Sequence, residues 1–113
     1  MRAAKLFIAG ALTVWSGAGF AETWVKVPGG DPSVRIDRDS IRRGNDTLVY
    51  FTRRWGDTGE IAVNCTARIS YLLTLASMAG YDMSAYHWRD HGKSIIPGSQ
   101  DDAELRYVCS VAH

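Results

Sequence analysis

An α+β domain is the fold class that the sequence predicts, with an antiparallel sheet of about five to six strands, a C-terminal helix packed on it and one disulfide. Three observations carry that expectation. Apolar residues alternate with polar ones in short runs between Trp24 and Leu75, the period of half-buried strands. The period changes only near the C-terminus, where Leu105, Val108, Cys109 and Ala112 fall at i, i+3, i+4 and i+7, one face of a helix. One cysteine sits in each pattern, Cys65 among the strands and Cys109 on the helical stripe.

The elements follow in order. Trp24-Val25-Lys26-Val27 alternates and stops at Pro28-Gly29-Gly30, a strand and its turn. Val34-Arg35-Ile36-Asp37 alternates again. A turn signal at Arg43-Gly44-Asn45-Asp46 precedes a β-rich run from Thr47 to Trp55, and Gly56-Asp57-Thr58-Gly59 turns the chain once more. These segments read as a meander with short connections. From Ile61 to Leu75 every second residue is apolar, through Val63, Cys65, Ala67, Ile69, Tyr71 and Leu73. The run reads as one long strand, bent in its middle, with Cys65 on its buried face. Residues 68–79 also fit helical spacing through Ile69, Leu72, Leu73 and Ala76, and periodicity leaves strand and helix both open there. Gly80, Asp82 and Ser84 mark a loop, and Tyr86 to Trp88 reads as a short strand. Pro97-Gly98 breaks the chain, Ser99 is a helix N-cap, and Asp101, Asp102 and Glu104 read as charges that suit a helix N-terminus.

The N-terminus sets the compartment. Met1, Arg2 and Lys5 form a basic start, Leu6 to Trp15 is largely apolar, and Gly19 and Ala21 place small residues before Glu22. This is the layout of a secretory signal peptide over residues 1–21, cleaved before Glu22. The apolar run is shorter than the roughly 20 residues a membrane span needs. No cysteine follows the cut to carry a lipid. Residues 22–113 are then expected to form a single exported, soluble domain with no membrane span, periplasmic or released to the cell surface.

The whole chain has 13 basic and 12 acidic residues, a formal charge of +1. Arg2 and Lys5 leave with the leader, so the remaining domain is close to neutral. Nucleic acid is not an expected partner of a domain without basic bias. In an oxidising compartment Cys65 and Cys109 most simply form one disulfide. A redox pair or a metal site is disfavoured, because neither cysteine has the close spacing of CxxC chemistry.

The order of landmarks resembles the surface-adhesin protein E family of small exported bacterial proteins. The landmarks are the Trp24 strand, the segment from Arg35 to Ile41, Asn64-Cys65 followed by an arginine-containing strand, Trp88 with Ile96-Pro97-Gly98-Ser99, and Leu105 through Val108-Cys109. They span nearly all of residues 22–113, and Asn64 stands where the family usually has Asp. The resemblance implies an antiparallel sheet carrying a helix, bonded cysteines, an adhesive or binding role and homodimer formation.

The chemical constellations point the same way. His87 and His91 are four apart, but the Glu of a metalloprotease motif is missing and glycines on either side suggest a surface loop. No G-x-S-x-G elbow or phosphate loop occurs. The expectation is therefore a binding module without catalytic residues, cofactor or metal. A structural or assembly factor of the cell envelope is the alternative, and a small hydrolase or metalloenzyme a more distant one. Trp24, Trp55 and Trp88 are expected to pack in or against the core. Six arginines, Arg35, Arg38, Arg42, Arg43, Arg53 and Arg54, lie within 20 residues. Guanidinium groups offer planar, bidentate donors to sulfate, phosphate and carboxylate, so this cluster is the candidate anion-binding patch, for a protein or anionic glycan. Strand alternation separates Arg53 from Arg54, so only part of the cluster can share one surface.

Overall fold

The computed structural model describes residues 22–113; the expected leader, residues 1–21, lies outside the described residues. Six strands form one antiparallel sheet in sequence order. They are β1 (Trp24–Lys26), β2 (Arg35–Arg43), β3 (Leu48–Trp55), β4 (Asp57–Asn64), β5 (Ile69–Leu75) and β6 (Lys93–Ser94). The helix α1 (Gln100–Val111) follows. The expected α+β fold, with its six-stranded sheet and its helix, is the observed one.

One face of the sheet carries the core. Directly opposed residues of antiparallel strands share a face, and the pairs Val49↔Val63 and Phe51↔Ile61 place four apolar side chains on the same side. Ile36 joins them, and Ala103, Leu105 and Val108 of α1 pack against the cluster with Val27, Val34, Ile41 and Ile95. Phe51 is fully buried, and burial of such a ring contributes about 1.5–3 kcal/mol. The helix starts as its sequence requires. Ser99 Oγ accepts the Asp102 N–H at 3.2 Å, which satisfies one of the helix's orphan donors.

The period-two run through residues 61–75 is corrected in one respect. It is two strands, β4 and β5, joined by a turn at residues 65–68, and not one bent strand. Asn64 makes that turn. Its side-chain oxygen accepts the N–H groups of Thr66 and Ala67, and its carbonyl accepts the Arg68 N–H. Arg68 sits in the left-handed region at φ 58°, so the arginine expected on a strand lies in a turn. The ambiguous residues 68–79 are strand as far as Leu75, followed by a short 3-10 turn (Ala76–Met78). Tyr86 to Trp88 is not a strand. It leads into a second 3-10 turn (Trp88–His91), and the last strand is Lys93–Ser94 instead.

Two pins hold the β4–β5 turn to the helix. Cys65, half-buried in the turn and not on a strand face, is bonded to Cys109 with the Cα atoms 6.1 Å apart. Arg68 Nη2 donates to Asp102 Oδ1 at 2.5 Å. The second pin accounts for an arginine in a backbone region that glycine favours.

The pairing of β2 with β3 slips between Asp37 and Arg42. Ser40 fills the gap. Its Oγ accepts the Thr52 N–H at 2.8 Å and donates to the Asp37 carbonyl at 2.6 Å. A side chain thus replaces a missing rung of the ladder, as bulges require. Among the described residues no helix is long and apolar enough to cross a membrane.

Candidate functional site

The sheet face opposite the helix is the candidate site, and strand register assigns its residues. Tyr50 of β3 opposes Ala62 of β4, and Ala62 opposes Tyr71 of β5. The row reads Tyr–Ala–Tyr, and Trp88 stands edge-on to both rings, with centroids 6.3 Å from Tyr50 and 5.5 Å from Tyr71. The small Ala62 between the tyrosines leaves space for the indole. Gly92 completes the fit, because a Cβ there would meet the Tyr71 ring at 2.6 Å and Ile69 Cγ2 at 2.7 Å.

Arginines cover these rings. Arg42 lies 4.9 Å from the Tyr50 centroid, Arg89 4.2 Å from Trp88, and Arg54 3.9 Å from Trp24. Such contacts contribute about 0.5–1 kcal/mol at exposed sites. Arg89 also bonds Asp46 at 2.6 Å, and Arg42 bonds Glu60 at 3.1 Å. The Tyr50 hydroxyl donates to Asp46 at 2.6 Å. That bond foremost, with Arg89 and the Leu48 N–H, holds the Asp46 carboxyl below its usual range. Burial, and then the bond to Asp46, raises the Tyr50 phenol.

A second row crosses the same face. Lys26 of β1 opposes Arg35 of β2, and Arg35 opposes Arg54 of β3. Arg42 shares this face with them, because it opposes Tyr50 across the bulge. The remaining arginines of the predicted cluster face the helix or the strand edge. Arg53 opposes Ile36 on the core side, where its Nη1 bonds Glu104 at 3.2 Å and lies 3.7 Å from Asp101. Arg43 opposes Val49 and donates to the Cys109 carbonyl at 3.3 Å. Arg38 is exposed beside Asp39, Ile41 and the end of α1. The structure therefore brings together Arg35, Arg42 and Arg54, adds Lys26, Arg89, Trp24, Tyr50 and Trp88, and separates Arg38, Arg43 and Arg53. Lys26 lies outside the arginine run of the sequence because cross-strand register alone makes it the neighbour of Arg35.

The helix side holds a cleft of about 320 Å³ between α1, β4, β5 and the segment around Tyr86. Ile61, Val63 and Leu72 line it with Arg53, His91, Lys93, Asp101 and Glu104. Glu104, read from the sequence as a helix N-terminal charge, lies in α1 and is 2% exposed. Its carboxylate accepts from Arg53 and from Gln100 Nε2 at 2.8 Å. Burial raises its pKa in spite of these partners. His91 stacks on Tyr86 with centroids 5.1 Å apart, and His87 is exposed. Among the described residues no group of three or more His, Cys, Asp and Glu side chains could hold a metal. Trp24 and Trp88 are half-buried, but Trp55 is 47% exposed at the end of β3, with Arg53 5.6 Å from its ring. No family model, no curated protein and no solved structure matches the chain.

Proposed function

We propose that this chain is an exported binding module of the surface-adhesin kind, and not an enzyme, which engages its partner through the sheet face opposite the helix. One observation carries the reading. That face presents three aromatic rings, Trp24, Tyr50 and Trp88, each with a guanidinium laid against it. Aromatic and arginine side chains are enriched where proteins bind partners, because they bring large contact areas with little flexibility and directed donors. The opposite face is occupied by the helix and the core. The Cys65–Cys109 bond supports export, since disulfides persist in oxidising compartments. The resemblance to surface adhesins supports the same role.

The test is a binding screen of the exported chain against arrayed glycans and extracellular-matrix proteins. At least one reproducible ligand is expected, with binding reduced by Tyr50→Ala together with Trp88→Ala. Retention of every array ligand by that double variant would remove the aromatic face from the reading. A screen with no ligand at all would favour a structural role in the cell envelope.

A further inference from the structure

We infer that Lys26, Arg35 and Arg54 form a docking row for a sulfated or carboxylated polysaccharide, lying across three strands of the sheet. The inference rests on the binding-module reading above and names its ligand class and its contact residues.

The register places the three cations directly opposite one another on one face. Adjacent strands are about 4.8 Å apart, so the row extends roughly 10 Å across the strands. Like charges directly opposite each other destabilise a sheet. Among the described residues none of the three has a carboxylate within salt-bridge distance, whereas Arg42, Arg53, Arg68, Arg89 and Arg106 all do. The nearest acid along this face of β2, Asp37, is spent on the backbone N–H groups of Thr23 and Asp39. The row is thus a repulsive arrangement that the fold leaves uncompensated, and an external anion relieves it.

The side chains are also held. Arg35 Nη1 donates to the Pro32 and Val34 carbonyls, which fixes the guanidinium and leaves its Nη2 and Nε donors. Arg54 reaches across β2 to lie 3.9 Å from the Trp24 ring centroid. Fixed, planar guanidinium groups suit bidentate contact with sulfate and carboxylate. The neighbouring indole offers an apolar surface to the C–H face of a sugar ring. A lipid surface fits less well, since polybasic membrane segments use about 4–8 cations.

Heparin is the probe. The exported chain, the row variant Lys26→Ser/Arg35→Ser/Arg54→Ser and a control variant Arg38→Ser/Lys93→Ser/Arg106→Ser are titrated with it across a range of salt. The control removes the same charge from positions off this face. The wild type and the control are expected to bind, and the row variant to lose most of its affinity. If the three cations release counterions as on a nucleic-acid strand, raising salt from about 50 to about 200 mM should weaken the wild type roughly 20- to 40-fold more than the row variant. Circular dichroism should show all three folded. Arg54→Lys, which keeps the charge and gives up the planar stack, should bind weakly in the same fold.

Equal loss in row and control variants would mean net charge alone, and would overturn the row. Binding to anionic phosphatidylserine vesicles but not to heparin would overturn the polysaccharide. If the row variant binds heparin as the wild type does while the aromatic double variant loses its array ligand, the row fails and the binding-module reading stands. If the wild type binds neither heparin nor any array ligand, both fail.

Discussion

Replacing both cysteines, Cys65→Ser with Cys109→Ser, is expected to cost about 4 kcal/mol. The bond closes a loop of 44 positions, and the chain-entropy model assigns about 4 kcal/mol to a loop of that length near 25 °C. Within that loop lie β5, the segment from Ala76 to Gly92, β6 and most of α1. Two short 3-10 turns are the only helical or strand elements of the 76–92 segment, so the unfolded chain gains much freedom when the bond is absent. A whole domain is stable by about 5–15 kcal/mol, and the loss is a large share of it. Urea unfolding of wild type and double variant, followed by fluorescence, measures the difference. With a slope of roughly 1–2 kcal/mol/M the midpoint should fall by about 2–4 M. The second pin gives an internal check. Arg68→Ala should cost more in the cysteine-free protein than in the oxidised one, because Arg68–Asp102 is then the remaining tie between turn and helix. A double variant within about 1 kcal/mol of wild type would refute the entropic account.

Arg53→Ala is expected to destabilise by about 3–5 kcal/mol, since it strands the buried Glu104 carboxylate, and Glu104→Leu added to it should recover much of the loss in a double-mutant cycle. Glu104 binds its proton more tightly folded than unfolded, so its contribution to stability falls as pH rises from its usual 4.5 through its raised value, and Glu104→Gln should flatten that limb in pH-dependent melting. Asp102 is shifted the other way, foremost by the Gly98 N–H and then by Arg68. Its stabilisation is complete above 3.8 and is lost as pH falls through its lowered value, and Asp102→Asn should remove that acid dependence in the same melts. Gly92→Ala forces a methyl into Tyr71 and Ile69; a loss of about 1–3 kcal/mol and a red shift of Trp88 emission are expected, and an unchanged spectrum would contradict the packing described.

The elements whose signals are local were legible in the sequence. Ser99 with Asp101 and Asp102 announced the helix start, and the stripe through Leu105 and Val108 announced its buried face. The β4–β5 turn was hidden because the period of two runs through it without a break. Its markers were an asparagine that bonds forward and an arginine where glycine is the usual choice. The arginine cluster shows the complementary limit. Six neighbours in sequence are divided by alternation and by the Ser40 bulge, and Lys26 joins them only through register. Glu104 reads as a helix-terminal charge from its position, and only the placement of Arg53 beneath the helix shows that it is buried.

The sheet is long in its middle and short at its margins. β2, β3 and β4 have nine, eight and eight residues, while the outermost β1 and β6 have three and two. Unpaired strand edges are templates for aggregation, and brief margins offer few free rungs to a foreign chain. Where β2 runs on past β1, the Arg38 N–H is taken by the Thr23 carbonyl, the Asp39 N–H by its own neighbour Asp37, and the Arg43 N–H by His113. Along this edge of β2, strand addition therefore has little to grip. A sheet closed in this way by its own chain offers a second strand few rungs along its β1–β2 margin.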